Sequence, residues 1–385
     1  MKVLFVVGLP ELGGSNKSLL TLIEGLQQKQ CEPFVVLSMK GPLSDVLGKI
    51  GVCHKVIYHR LALYPDLFSF KDYYLFIPRL LYTIFVNIIA YFKLISLLKS
   101  VRPDIVHTNV SCINIGYFAA KRLHIPHVWH VREFNTIDFN RTPFPSLSCL
   151  KNRISRSNPI YITKGIGDFY NSTSRSTIIY NGIQICSNIQ PLEFEYKYFL
   201  HVGGITAQKG VETTITSFAE FSNNHSGYKL LLVGGCLPEY RVKLDCLIDK
   251  LGIKDRISFV GVVSNVQSYM ISAEALIVSS FFEAFGRITA EAMASKCIVI
   301  GRNTAGTKEQ FDNGVLYTGR EIGLRFDVDG DLCGKMEELV EMDHTVKEKM
   351  KIDAFNTVRE LYSPNKYVNS IYNIYLNLYN REMYY

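Results

Sequence analysis

Tyr198-Phe-Leu-His-Val-Gly-Gly-Ile-Thr-Ala-Gln-Lys-Gly210 runs an apolar strand into paired glycines and then a lysine. The chain opens in the same way, with Lys2-Val-Leu-Phe-Val-Val7 leading into Gly8-Leu-Pro-Glu-Leu-Gly-Gly-Ser15. Each stretch predicts a strand feeding a glycine-rich loop and then a helix, which is how a parallel βαβ unit begins. Two such starts in 385 residues predict two domains of ordinary size.

Outward from these starts, strand-like and helix-like runs alternate. In the first half the strands read 3–7, 33–37, 104–108, 127–131, 160–163 and 177–179, with helices over 15–29 and 115–123. Asn181-Gly182 is a turn signal, and the polar stretch 186–195 reads as a linker. The pattern then restarts with strands over 198–203, 229–234, 257–260, 275–278 and 298–300. The expected fold is therefore α/β, two Rossmann-like parallel-sheet domains over 1–185 and 196–364 facing a central cleft. A closing helical segment, 365–385, is expected to pack back on the first domain. Open sheets of this class bind ligands outside the carboxyl ends of their strands, which directs attention to the loops that follow strands.

Composition narrows the function classes. The hydrophobic share is 48% and the charged share 20%, which argues against intrinsic disorder. The net charge of +7 is spread along the chain, so it suits an anionic substrate or an acidic membrane surface and gives no nucleic-acid patch. Nine cysteines without a CxxC pair make neither a disulfide framework nor a zinc site; they are expected as buried thiols in a reducing compartment. The N-terminal apolar run is strand-length with no cleavage region after it, so a cytoplasmic location is expected. The segment 73–98 is heavily apolar, yet Arg79 and Lys93 bracket only thirteen uncharged residues. That is short of the roughly 20 needed to span a bilayer. It reads either as a helix buried on a sheet or as one lying in the membrane interface at the inner face of the cell membrane.

Several loops could carry chemistry. Gly13 and Gly14 stand where backbone amides could approach a phosphate at a helix start, and a tight turn is the plain alternative. A Walker loop is excluded because Gly14 and Ser15 follow Gly13 where Lys and Ser or Thr are required. A dinucleotide fingerprint is excluded because the second strand ends without an acid, at Leu37-Ser-Met-Lys40. Lys209, five residues beyond Gly204, can reach a diphosphate as a point charge, or it is simply an exposed lysine.

The most specific stretch is Phe282-Glu-Ala-Phe-Gly-Arg-Ile-Thr-Ala-Glu291. It follows a strand and opens a helix, so amides of Phe285, Gly286 and Arg287 lie at a helix N-terminus where the dipole favours anions. Glu283 and Glu291 frame the turn, as carboxylates accepting from sugar and ribose hydroxyls would. Such charge-assisted bonds contribute about 1.5–3 kcal/mol each. His124, His127 and His130 invite a metal reading, but strand alternation sends His127 and His130 to opposite faces. His130, near a strand's carboxyl end, is placed at the cleft.

These residues resemble the retaining glycosyltransferases of family four, which have the two-domain GT-B fold. The resemblance runs along nearly the whole chain. It rests above all on Glu283 and Glu291, with seven residues between them, in the form E-x-F-G-R-x-T-x-E-A-M. Gly306-Thr-Lys-Glu309, Asp104-Ile-Val-His-Thr-Asn109, His130-Val-Arg-Glu133, Tyr180-Asn-Gly-Ile183 and Gly13-Gly14 resemble further landmarks of that family. The resemblance implies a nucleotide-sugar donor such as a UDP- or GDP-sugar, no cofactor and no required metal. It implies a glycan or lipid-linked acceptor, with cell-surface polysaccharide biosynthesis as the setting. Glu291 would hold the donor ribose, Glu283 the transferred sugar, Lys209 the diphosphate, and His130 the sugar near the reacting carbon. The amides around Phe285 and Gly286 would face sugar and phosphate. Two positions depart from the pattern. Gly204 stands where members carry a phosphate-binding arginine, with Arg287 as the nearest candidate to compensate, and Lys296 stands where a glycine is usual. A non-hydrolysing nucleotide-sugar epimerase and a non-catalytic nucleotide-sugar-binding protein are the competing readings.

Overall fold

The computed structural model describes residues 1–383 apart from 68, 139 and 187. Residue 187 of the expected linker and residues 384 and 385 of the expected closing segment lie outside the described residues. The chain divides into two compact units, Met1–Gly182 with the segment from Pro364 on, and Ile183–Ser363.

In the first unit β1 (Lys2–Val7), α1 (Gly14–Gln28), β2 (Glu32–Leu37), α2 (Pro42–Lys49), β3 (Cys53–Val56) and α3 (Phe70–Val101) come first. Then follow β4 (Ile105–Asn109), α4 (Asn114–Arg122), β5 (His127–Val131), α5 (Leu147–Ser155), β6 (Asn158–Tyr161), α6 (Lys164–Phe169) and β7 (Thr177–Ile178). The seven strands form one sheet in the order β3-β2-β1-β4-β5-β6-β7, and every recorded pairing is parallel. In β1 both faces are buried, as a sheet covered by helices on each side requires. Val3, Phe5 and Val7 face α1, while Leu4 and Val6 face the buried stripe Ala90, Leu94, Leu97 and Leu98 of α3.

The second unit contains β8 (Lys197–Val202), α7 (Val211–Ser222), β9 (Tyr228–Val233), α8 (Pro238–Leu251), β10 (Ile257–Gly261), α9 (Val266–Ser272) and β11 (Ala275–Val278). It continues with α10 (Arg287–Ala294), β12 (Val299–Arg302), α11 (Ala305–Thr318), β13 (Leu324–Phe326), α12 (Asp331–Glu341) and α13 (His344–Leu361). Its parallel sheet has the order β10-β9-β8-β11-β12-β13. The last helix, α14 (Pro364–Met383), returns to the first unit, where Tyr367, Val368, Ile371 and Tyr375 join the core beside α1.

Three expectations change. The thiols are free, but only Cys31, Cys112, Cys297 and Cys333 are buried; Cys53, Cys149, Cys186 and Cys246 are exposed. Two strands, β3 and β13, were not legible: β3 is exposed along its length and β13 has three residues. The apolar segment is one continuous helix of 32 residues, long and apolar enough by length and composition alone to cross a membrane. Counting only the uncharged run underestimated it. One stripe of α3 is nevertheless committed to the sheet, and the opposite face exposes Phe70, Tyr74, Leu81, Phe85 and Phe92.

Candidate functional site

In the second sheet β8 lies between β9 and β11, so the chain leaves β8 toward one side and leaves β11 toward the other. The carboxyl ends of those two neighbours are the topological switch point, where an open sheet leaves a crevice for a ligand. Both sequence-singled loops end there. Gly210 has φ +65°, and a Cβ on it would lie 2.2 Å from the Ser279 carbonyl oxygen, so only glycine lets the β8 loop press against the end of β11. Ser279 Oγ secures the contact by donating to the Gly210 carbonyl at 2.8 Å.

This packing brings Lys209 and Glu283 together. Lys209 Nζ donates to Glu283 Oε1 at 2.5 Å, and Ser280 Oγ donates to the same oxygen at 2.7 Å. The second carboxylate is paired as well: Arg287 reaches Glu291 Oε1 at 3.0 Å, one turn along α10. All four side chains thus form two ion pairs, one at i,i+4 along α10 and one, Lys209–Glu283, between loops 74 residues apart that spacing in sequence does not reveal. Between them lies the Phe285–Gly286 turn. Phe285 is buried, and Gly286 caps α10 with φ 76° and no side-chain cap at that end.

Two residues outside the motifs of the sequence hold this turn and the end of β11. Gln310, buried in α11, donates from Nε2 to the carbonyls of Phe285 and Gly286, the latter at 3.0 Å. Its only signal was its place directly after Gly306-Thr-Lys-Glu309. Gly306 itself donates its N–H to the Glu283 carbonyl at 2.8 Å. Arg302, also buried, donates to the Ser279 carbonyl at 3.1 Å and pairs with Asp329, bracing the end of β11 from β12. Gly204 is exposed, and a Cβ there would meet only Thr206, at 3.9 Å. A larger side chain therefore has room.

In the first unit Gly13 caps α1, both Gly13 and Gly14 are exposed, and no side chain caps that helix end. His130 is fully buried, beneath α14, with His107 and Tyr367 as ring neighbours at 5.3 and 6.2 Å. The expected alternation holds: His127 faces Tyr117 and bonds to Thr108 and Ser157, while His130 lies on the other face. With no exposed surface, His130 contacts protein only. Its neighbour Arg132 ties its own landmark to two others, donating to Asn109 Oδ1 at 2.8 Å and Asn181 Oδ1 at 2.6 Å, and also donates to the Tyr367 hydroxyl at 2.9 Å.

A cavity of about 510 Å³ opens at the carboxyl ends of β1 and β2, lined by Gly8, Ser38, Tyr58 and Tyr64 and by two charged pairs. These are Arg79 with Asp72 at 2.5 Å and Arg141 with Asp66 at 3.3 Å. Sequence reading met Arg79 only as a charge bounding an apolar run.

Residues 187–351 match the family described as glycosyl transferases group 1. The second unit carries a group 1 glycosyltransferase domain. The N-acetyl-alpha-D-glucosaminyl L-malate synthase of Bacillus anthracis is 28% identical over 184 residues, 47% of this chain and 46% of that protein. The lipopolysaccharide core biosynthesis glycosyltransferase LpsD of Rhizobium meliloti is 26% identical over 182 residues, 47% of this chain and 48% of the relative. The matched stretch thus spans about half the length of these relatives. The structure of Anabaena Alr3699/HepE in complex with UDP superposes with a TM-score of 0.77 at 17% identity, covering 97% of this chain and 99% of that one. At that identity the likeness establishes the fold alone, GT-B.

Beside the β5 end, burial raises the Glu133 carboxyl to about 7, opposed by bonds from the Ser111 hydroxyl and amide. A carboxyl whose native value lies above its unfolded value stabilises fully below about 4.5, and that contribution is lost as pH rises through about 7. Burial depresses the His107, His127 and His130 imidazoles, whose contribution is lost instead as pH falls below about 6.5. Glu133→Gln keeps an acceptor for Ser111 and removes only the first effect. Relative to the native protein, the variant should gain about 1.4 kcal/mol per pH unit within the window from about pH 5 to 7, read from denaturant unfolding at a series of pH values. Parallel curves would show that Glu133 is ionised throughout.

Proposed function

We propose that this chain is a retaining glycosyltransferase that moves a sugar from a nucleotide-diphosphate donor to a glycan or lipid-linked acceptor in cell-surface polysaccharide biosynthesis. The observation that carries the reading is the meeting of Lys209, Glu283 and the Phe285–Gly286 helix start at the β8/β11 switch point. The diphosphate replaces Glu283 as the partner of Lys209, and amides at the start of α10 face the sugar and phosphate, a place where the helix dipole favours negative charge. Glu283, released from the lysine, accepts from the transferred sugar's hydroxyls, and Glu291 accepts from the ribose. Gly13 and Gly14 offer amides at a second helix start. His130, enclosed by protein, takes no direct part.

In the reaction the acceptor hydroxyl attacks the anomeric carbon on the face the phosphate leaves. The bond from that carbon to phosphate oxygen breaks, and the departing phosphate takes the acceptor's proton. Rate comes from charge prearranged around the leaving group, with Lys209 and the helix start in the place a metal would take. The cavity at the β1 and β2 ends, with its hydroxyl-accepting Asp66 and Asp72, suits the acceptor. Gly204 removes one cation from this scheme, which is the observation that favours a nucleotide-sugar-binding protein without turnover as the second reading.

Purified protein supplied with a panel of UDP- and GDP-sugars and glycan acceptors should release nucleoside diphosphate with or without a chelator. Lys209→Ala and Glu291→Ala should each lower kcat/KM by about tenfold to a hundredfold, matching charged contacts of about 1.5–3 kcal/mol. Binding without turnover across the panel would establish the second reading, and sugar conversion without acceptor would establish an epimerase.

We place the protein at the inner face of the cell membrane, with the exposed face of α3 in the interface. Phe85 and Phe92 stand out at 62% and 63% exposure beside Leu81 and Tyr82, a large apolar face for a water-facing helix. Phe85→Glu with Phe92→Glu should abolish co-sedimentation with phosphatidylglycerol-containing vesicles while leaving the fold intact by circular dichroism. Unchanged sedimentation would exclude this face as the contact.

A further inference from the structure

Along the flank of α3 that turns toward α4 runs a groove of about 640 Å³, wholly within the first unit. Its walls are Ile84, Ile88 and Tyr91 of α3 with Ile115 and Phe118 of α4, and its size falls within the range of small-molecule sites. Lys121 and Arg122, near the end of α4, and Arg153 of α5 stand along it. The Arg153 guanidinium lies 5.1 Å from the centre of the Phe118 ring, which holds a cation against the apolar wall. No acidic side chain among the described residues lines the groove. Among the described residues none of these three cations takes part in an ion pair. The neighbouring cavity at the β1 and β2 ends is the opposite case, because each of its two aspartates is matched by an arginine.

An apolar trough edged by unmatched positive charge is complementary to a molecule with a hydrocarbon chain and an anionic head. The groove is also continuous with the outer face of α3. Ile88 lines it and is half exposed, and Leu81, Phe85 and Phe92 follow on the open side. We propose that the groove between α3 and α4 binds one anionic phospholipid from the membrane, its chain between Ile84, Ile88 and Phe118 and its phosphate beside Lys121, Arg122 and Arg153. Basic residues near an anionic lipid surface each strengthen attachment about fivefold, so three of them on one lipid select strongly against a zwitterionic head. The cations stand at the far end of α4 from the carboxyl end of β4, so the lipid serves as an anchor and is not the acceptor.

The inference rests on the membrane-facing reading of α3, and monomeric lipid separates the two, because vesicle sedimentation reads the outer face and soluble lipid reads the groove. A short-chain phosphatidylglycerol, kept below its aggregation concentration, is titrated into the full chain by calorimetry. One molecule should bind per chain, at least about tenfold more tightly than the matching phosphatidylcholine. Lys121→Glu with Arg122→Glu should weaken binding by at least about tenfold, and Ile84→Trp should block it. The first variant lies on exposed helix surface, so it keeps the result readable should the tryptophan variant fold poorly. Equal affinity for the two head groups, or native affinity in the charge-reversed variant, would overturn the proposal. Inorganic phosphate binding as tightly as the lipid would also overturn it, because the chain would then contribute nothing.

Discussion

Lys209 and Glu283 meet at 2.5 Å over the place where the chain leaves β8 in one direction and β11 in the other. That contact depends on two loops approaching more closely than side chains permit, which is why Gly210 faces the Ser279 carbonyl and Ser279 Oγ closes the seam. The surrounding buried polar groups serve the same constraint. Arg302 braces the end of β11 from β12, and Gln310 fixes the carbonyls of the Phe285–Gly286 turn from α11. Each of these bonds to a backbone carbonyl contributes about 0.5–1.5 kcal/mol net, and more where the donor is the charged Arg302.

The pairing has an energetic consequence for ligand exchange. Lys209 keeps about a third of its side chain exposed, and the Arg287–Glu291 pair is also open to water in part. For partly buried pairs such as these, desolvation of both groups offsets much of the Coulomb attraction, so the net contribution is small. A diphosphate carrying more charge than a single carboxylate can therefore displace Glu283 from Lys209 at small cost. The two carboxylates and two cations neutralise one another, which limits the desolvation penalty of holding four charges close together.

Much of this was legible in the sequence, and the parts that were not have a common cause. Strand–glycine–helix starts at both Gly8 and Gly203 disclosed two parallel sheets, because sheets covered on both faces leave near-continuous apolar runs. β3 left no such run, being an exposed edge of Cys-His-Lys-Val, and β13 is too short to show a period. Glu283 and Glu291 were visible because they flank a glycine turn within one motif. The Arg287–Glu291 pair is a local i,i+4 spacing on α10, whereas Lys209, Gln310 and Arg302 depend on contacts between separate strands and helices that no local pattern encodes. The same holds for His130. Its strand position was read correctly, yet the helix that covers it begins more than two hundred residues later, at Pro364.

The central claim is that Lys209 at the switch point is a receptor for diphosphate. Calorimetric titration of UDP, GDP and the corresponding nucleosides into the native chain and into Lys209→Ala tests it most directly. The account predicts that one nucleoside diphosphate binds at least about tenfold more tightly than its nucleoside, and that this preference disappears in the variant. Equal affinity for nucleoside and diphosphate, or a preference that survives removal of the lysine, would contradict it.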